Sequence, residues 1–240
     1  MRNIEIRVLN PDQIADAATA ARLTQRGHAI RSMSDFNALY DRAASDTFIE
    51  HLTALPHPTL QKLAVINVAL VGVSRRFLAQ ITRHQNEVKF TSSSLQYSDY
   101  TGAGDFVVPP GVAEETRSRY VAACTCAMDE YAALIAAGVD NDTAGYVAPQ
   151  ALRGALIISA TPYQWKHMIG QRTCRRNTPE IRYVMSLIWK GMYNIAPALF
   201  SSQTTGPFCL RGKCLEGQMS CRKSYEAAAT PQTILDEVIL

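Results

Sequence analysis

The sequence predicts an α+β fold, with a mixed or antiparallel sheet flanked by long helices. Short Val- and Ile-rich runs are separated by long helical stretches without the regular repeat of a βαβ array. Pro and Gly punctuate those segments at their ends. At 240 residues, 47% hydrophobic and 19% charged, the chain fits one ordinary soluble domain that can bury a core without staples.

Ile4-Glu-Ile-Arg-Val-Leu9 alternates and predicts a strand, closed by the Asn10-Pro-Asp turn. Residues 13–25 predict a helix ending before Gly27, and residues 35–55 a second one broken at Pro56-His57-Pro58. Residues 62–71 predict a strand and 73–84 a helix. A Ser/Thr-rich loop follows, through Gly102-Ala-Gly104, and then a short strand over 105–109. Residues 113–137 predict a long helix ending at Gly138, in which Cys124 and Cys126 fill space. A helix over 142–152 and a strand over 155–160 come next. Pro162 and Pro179 then open two helices, the second reaching about 195. The segment after Phe200 is Gly-, Cys- and polar-rich, and 201–240 reads as a tail of the domain formed by 1–200. Trp165 and His167 read as core packing.

The net charge is +3, and its arginines are scattered, which argues against a sequence-independent nucleic-acid binder. The N-terminus has no apolar signal-like stretch and no run approaches a membrane span, so a cytoplasmic protein is expected. In that setting the six cysteines read as thiols or metal ligands before disulfides. Cys209, Cys214 and Cys221 lack the usual C-x2-C spacing; surface thiols or an oxidised pair are the expectation, with a metal the alternative.

The densest polar grouping is Gln80-Ile-Thr-Arg83-His84-Gln85, followed by Thr91-Ser-Ser-Ser94-Leu-Gln96-Tyr97. It follows the apolar run 63–70, so one buried element delivers a guanidinium, an imidazole, amides and hydroxyls to one place. That chemistry suits an anion, foremost a phosphate. Arg153, before the 155–160 strand, and Gln171-Arg172-Thr-Cys-Arg175-Arg176-Asn-Thr-Pro-Glu180-Ile-Arg182 repeat the design. Glu180 and Arg182 lie two apart and face different directions from a helix. Neither GxGxxG nor GxxxxGK[ST] is present, and no Cys-His or Ser-His pair stands out as a nucleophile.

These residues resemble the flavin-dependent thymidylate synthase family. Its R-H-R-x7-S signature is matched by Arg83-His84-Gln85, seven residues, then Ser93; its S-x-R-Y continuation fits Ser94-Leu-Gln96-Tyr97, one position later. The late R…E-I-R element is matched by Arg172…Glu180-Ile181-Arg182. An N-terminal A-A-R-[VL]-[ST] is matched by Ala20-Ala-Arg22-Leu-Thr24, and an H-x-T by His57-Pro-Thr59. The resemblance implies FAD as cofactor, NADPH as reductant, and methylenetetrahydrofolate as donor of a methylene to C5 of a uracil nucleotide. No cysteine nucleophile is used, and reduced flavin is the hydride source. It also implies a homotetramer with shared sites, and no nucleic-acid or membrane partner.

By position, the resemblance puts Thr24, His57, Thr59, Arg83, His84, Gln85, Ser92 and Arg172 on the flavin. Gln80, Ser93 or Ser94, Gln96, Arg153 and Arg182 face the nucleotide, with Arg182 as the cation beside the uracil ring. The chain departs from the family at Gln85 and Gln96, each in place of an arginine, and at Ser92, where a glutamate is usual. Those losses leave dUMP and UMP both open as acceptor, as in methylases of nucleoside-antibiotic pathways. A hydroxymethylase on the same fold is the alternative, and a non-catalytic nucleic-acid-binding module the remote one.

Overall fold

The computed structural model describes residues 3–55, 57–212 and 214–239. Four strands form one antiparallel sheet in the order β1-β2-β4-β3: β1 Glu5–Val8, β2 Ile66–Ser74, β3 Val88–Ser92 and β4 Arg153–Ala160. The helices are α1 Ile14–Arg26, α2 Met33–Tyr40, α3 Asp46–Ala54, α4 Arg75–Ile81, α5 Glu114–Ala136, α6 Asn141–Ala144, α7 Pro162–Arg172, α8 Pro179–Ile195 and α9 Pro231–Ile239. The expected α+β architecture is present, and the sheet is antiparallel. None of the described helices is long and apolar enough to cross a membrane.

Alternation along the strands sets the layers. Ile66, Val68 and Leu70 of β2 sit opposite Ala160, Ile158 and Leu156 of β4, and all are buried. They pack on α7 and α8, whose Trp165, Met168, Val184, Ile188 and Trp189 are fully enclosed. Both buried indoles find acceptors: Trp165 Nε1 donates to the Ile66 carbonyl at 3.0 Å and Trp189 Nε1 to that of Phe200 at 2.8 Å. The opposite face of the sheet is open, with Val71 and Ile157 exposed. A second cluster, around Leu95, Phe106, Met128, Tyr131 and Leu152, seats α5 against the 95–106 loop.

Several expectations need correction. The helix over 35–55 is two, α2 and α3. Ser32 and Asp35 form a capping box at the start of α2, and Ser45 accepts from Phe48 N at the start of α3. Arg22 makes the break stable by donating to the carbonyls of Leu39, Arg42 and Ala43. Pro56 of the expected break lies outside the described residues, and Pro58–Lys62 forms a 3₁₀ turn where the strand was expected to begin. The 142–152 helix is only the single turn α6, capped by Asp140, and a 3₁₀ turn; Pro149 ahead stops it. The 105–109 strand reduces to one bridge, Phe106 to Leu152. Part of the Ser/Thr-rich loop is instead the edge strand β3, because Phe90 and Val88 face Ile158 and Ala160 across the ladder. Cys126 is exposed and fills no space, unlike Cys124. The tail ends in α9, whose Ile234 and Val238 enter the main core.

A bulge at Val71/Val73 aims the end of β2 at the site. Its Gly72 has φ +81°, and a Cβ there would collide with the Asn3 carbonyl oxygen. The Gly72 carbonyl accepts from Arg153 Nη1 at 2.6 Å. Gly72→Ala should therefore lower the melting temperature by several degrees, from a loss of about 1–3 kcal/mol. A melt matching that of the wild type would contradict this reading of the bulge.

Candidate active site

Two helix ends meet to form the polar corner. Ser74 caps α4 by accepting from Phe77 N at 3.0 Å, and α4 is so short that its C-terminal turn delivers Arg83 and His84 directly. Thr161 caps α7, Pro162 opens it, and α7 ends on Arg172, where a cation favours the helix C-terminus. Asn177 ties the turn that follows, donating to the Gln171 carbonyl at 2.7 Å.

Arg172 organises this corner. Its Nε donates to His84 Nε2 at 2.9 Å, and its Nη2 donates to the Gln80 carbonyl at 3.0 Å. The Gln80 side chain accepts from Thr178 at 3.0 Å, which joins α4 to the start of α8. His84 is buried, and burial, then the Arg172 cation, then His167 hold its pKa down at about 4. It is therefore neutral at pH 7, accepts at Nε2 and carries its proton on Nδ1. Arg83 is exposed but near enough to Arg172 for the two cations to repel.

Beyond Arg172 lies a cavity of about 430 Å³ between the α7–α8 turn and the tail. Arg172, Arg175, Arg176 and Asn177 line one side, Phe208 and Tyr225 another. Cys174, Cys209, Cys214 and Cys221 also line it, all as free thiols. Among the described residues no group of three or more His, Cys, Asp or Glu is placed to hold a metal.

At the tail end of this cavity, Glu237 of α9 accepts from Arg175 Nη2 at 2.9 Å and from Arg182 Nη2 at 2.7 Å. Arg182 also donates to Tyr225 Oη at 2.8 Å, and Arg175 stacks on the Tyr225 ring at 3.7 Å. Burial opposes ionisation of Glu237, but hydrogen bonds from Arg175, Arg182 and Tyr225 outweigh it and hold its pKa down at about 2. Burial, with Glu237 alongside, pushes the Tyr225 hydroxyl up to about 12. Glu180 faces the other way, as its spacing from Arg182 predicted. It is buried and accepts from Ser74 N at 2.8 Å and Ser74 Oγ at 2.5 Å.

The remaining candidates fall in separate places. Ser93 and Arg153 line a narrow cleft beside Ser74; Ser93 Oγ accepts from Ala155 N at 3.2 Å, and Arg153 pairs with Asp105 at 3.0 Å. Ser92 lies next to them, largely exposed. Ser94 instead caps the following turn, accepting from Gln96 N at 3.1 Å, so Ser93 and Ser94 are not equivalent. Gln85, Gln96, His57 and Thr59 are exposed. Thr24 is exposed too, its hydroxyl bonded to the Ala21 carbonyl in its own helix at 2.8 Å. Within one chain, therefore, Gln80, Arg83, His84 and Arg172 come together, as do Ser93 and Arg153, while Arg182 is turned toward the tail. Tyr225 and Glu237 escape sequence reasoning, since neither spacing nor motif marks them.

The chain is similar to known proteins over most of its length. The family model described as "Thymidylate synthase complementing protein" matches residues 6–198. A flavin-dependent thymidylate synthase of Geobacter sulfurreducens is 30% identical over 219 residues, covering 90% of this chain and 92% of the relative. Another from Thermococcus onnurineus is 28% identical, covering 68% and 69%. Among solved structures, ThyX of Helicobacter pylori with FAD and dUMP superimposes with a TM-score of 0.61 at 15% identity, over 82% of this chain and 97% of that one. A UMP/dUMP methylase, PolB of Streptomyces cacaoi bound with 5-Br dUMP, gives 0.63 at 17%, over 85% and 96%. The fold, the Arg172–His84 corner and these matches lead to one conclusion: the chain belongs to the flavin-dependent thymidylate synthase family.

Proposed function

We propose that this protein binds FAD and methylates C5 of a uracil nucleotide, dUMP or UMP, with methylenetetrahydrofolate as one-carbon donor and NADPH as reductant. The observation that carries the reading is the Arg172 corner: a buried neutral imidazole and two neighbouring cations beside a cavity rich in guanidinium groups. Such a donor set fits the diphosphate and ring edge of a flavin dinucleotide. When bound, the flavin supplies the redox chemistry. Arg83 and Arg172 then hold phosphate charge, His84 and Asn177 fix orientation, and Gln80 stands on the nucleotide side. Gln85, Ser92, Thr24, His57 and Thr59 are further flavin ligands in this reading, which their exposure leaves accessible.

Ser93 and Arg153, with Ser94 and Gln96 at the adjoining turn, face the nucleotide. Arg182 is the cation for the uracil ring. In the folded chain its guanidinium is turned toward the tail, where Nη2 meets Glu237 and Tyr225, so it takes up that role only by leaving them. The resemblance to the family adds a homotetramer in which subunits complete one another's sites, and the open sheet face, with Val71 and Ile157 exposed, leaves room for a subunit contact. In this reading the tail 201–240 is part of the same domain, which the packing of Tyr225, Ala229 and Ile234 into the core shared with α8 supports. The reaction fits a cytoplasmic enzyme.

The purified protein should be yellow and bleach with NADPH. Given methylenetetrahydrofolate and equal dUMP and UMP, it should add one methyl group by product mass. We expect UMP to compete because Gln85 and Gln96 replace two arginines of the family signature. A colourless preparation that takes up no added FAD would sink the reading, and a hydroxymethyl mass would change the product.

A further inference from the structure

Lys166 is a charge that the site above does not use. It lies on α7, only 8% exposed, and its Nζ has no hydrogen-bond acceptor among the described residues. Burial pulls its pKa down to about 7, and the Arg211 cation adds to the effect. The Phe200 ring, 6.0 Å from Nζ, is at the limit of a cation–π contact and does not replace a counter-ion.

Lys166 lines an open cleft of about 650 Å³ with Gln61, Tyr163, His167, Phe208 and Arg211. Among the described residues no aspartate or glutamate lines it. Gln61 is a second orphan in the same wall, 6% exposed, with no donor reaching its Oε1. The cleft thus lacks an anion for two cations and a donor for one buried oxygen. Arg211 stands exposed at its mouth, and the flexible four-carbon stem of Lys166 can carry its ammonium toward an incoming anion. The cleft also adjoins the Arg172 corner: the His167 ring is 6.0 Å from His84, edge-on, and 6.1 Å from Phe208, which lines both cavities.

We propose that this cleft is an oxyanion subsite that seats the charged end of a co-substrate, a carboxylate or phosphate, on Lys166 and Arg211, while an N–H or O–H of that ligand donates to Gln61. The choice of ligand rests on the proposed function, which supplies two sources of such an oxyanion. One is the glutamate carboxylates of the folate, the other the 2′-phosphate of NADPH.

The purified full-length protein, loaded with FAD where it takes FAD up, would be titrated calorimetrically with N-(4-aminobenzoyl)-L-glutamate in one arm and adenosine 2′,5′-bisphosphate in the other. Saturable binding is expected in at least one arm and names the source. Lys166→Met and Arg211→Gln should each weaken it at least tenfold. Lys166→Met should melt no lower than wild type, because it removes a buried unpaired charge; should it misfold, the exposed Arg211→Gln decides alone. Absence of binding in both arms, or wild-type affinity in the folded variants, would overturn the subsite. Probe binding without methyl transfer would retain the subsite and defeat the proposed function. Methyl transfer without probe binding would do the reverse.

Discussion

Arg172→Leu should yield a folded protein that retains little flavin and transfers methyl groups roughly 10²-fold more slowly or worse, the scale seen when one preorganised donor is removed from a reacting site. The side chain joins His84 Nε2 and the Gln80 carbonyl, so its loss leaves two acceptors unpaired, at about 1–3 kcal/mol each where they stay dry. Arg172→Lys should recover little, because an ammonium cannot reproduce the planar fork. The imidazole provides an independent readout. With the Arg172 cation gone, one of the causes that depress His84 disappears, and its titration should move up from about 4. In the wild type the His84 contribution to stability is complete above the ordinary value of 6.5 and is lost as pH falls toward 4. In the variant that window should narrow. Proton NMR of His84 at an unchanged pKa, with flavin fully retained, would contradict this role for Arg172.

Glu237→Leu should be the most destabilising change in the tail. It leaves Arg182, buried, and Arg175 without their shared carboxylate. Breaking a buried pair from one side costs about 3–5 kcal/mol, and the lower end applies because Glu237 is itself a third exposed. The Glu237 pKa lies below its ordinary 4.5, at about 2. Its contribution is therefore present above about 4.5 and fades as pH falls through about 2. Acid unfolding of the wild type should show that component, and Glu237→Gln should lack it. If denaturant melts of Glu237→Leu and wild type coincide, Arg182 does not depend on the tail.

Much of the fold is legible in the sequence where a segment speaks for itself. β2 and β4 announce themselves by Val and Ile, and α7 and α8 by prolines at their first turns. β3 is not legible, because Thr91 and Ser92 carry hydroxyls that suit a loop equally; what makes them a strand is the ladder from β4. The 35–55 stretch reads as one helix because the device that divides it, Arg22 on the carbonyls of residues 39–43, lies in another element. The site divides the same way. Motif resemblance reaches Arg83, His84 and Arg172, but only the fold shows that the last two are bonded. Ser93 and Ser94 are alike in sequence, and the geometry alone sends one to the Arg153 cleft and the other to a turn. Nothing local to Glu237 reports that it will meet Arg182.

The bond between Ser74 and Glu180 spans 106 positions, and that from Arg172 to Gln80 spans 92. Closing such long loops costs entropy before any contact rewards it, and topologies built this way fold slowly. The corner around His84 joins the segments that follow β2 and β4, so it exists only where those distant parts of the chain have come together. A ligand that recognises it binds only the finished chain. Its presence during refolding should raise the yield of native protein by trapping the final state, without hastening the early steps.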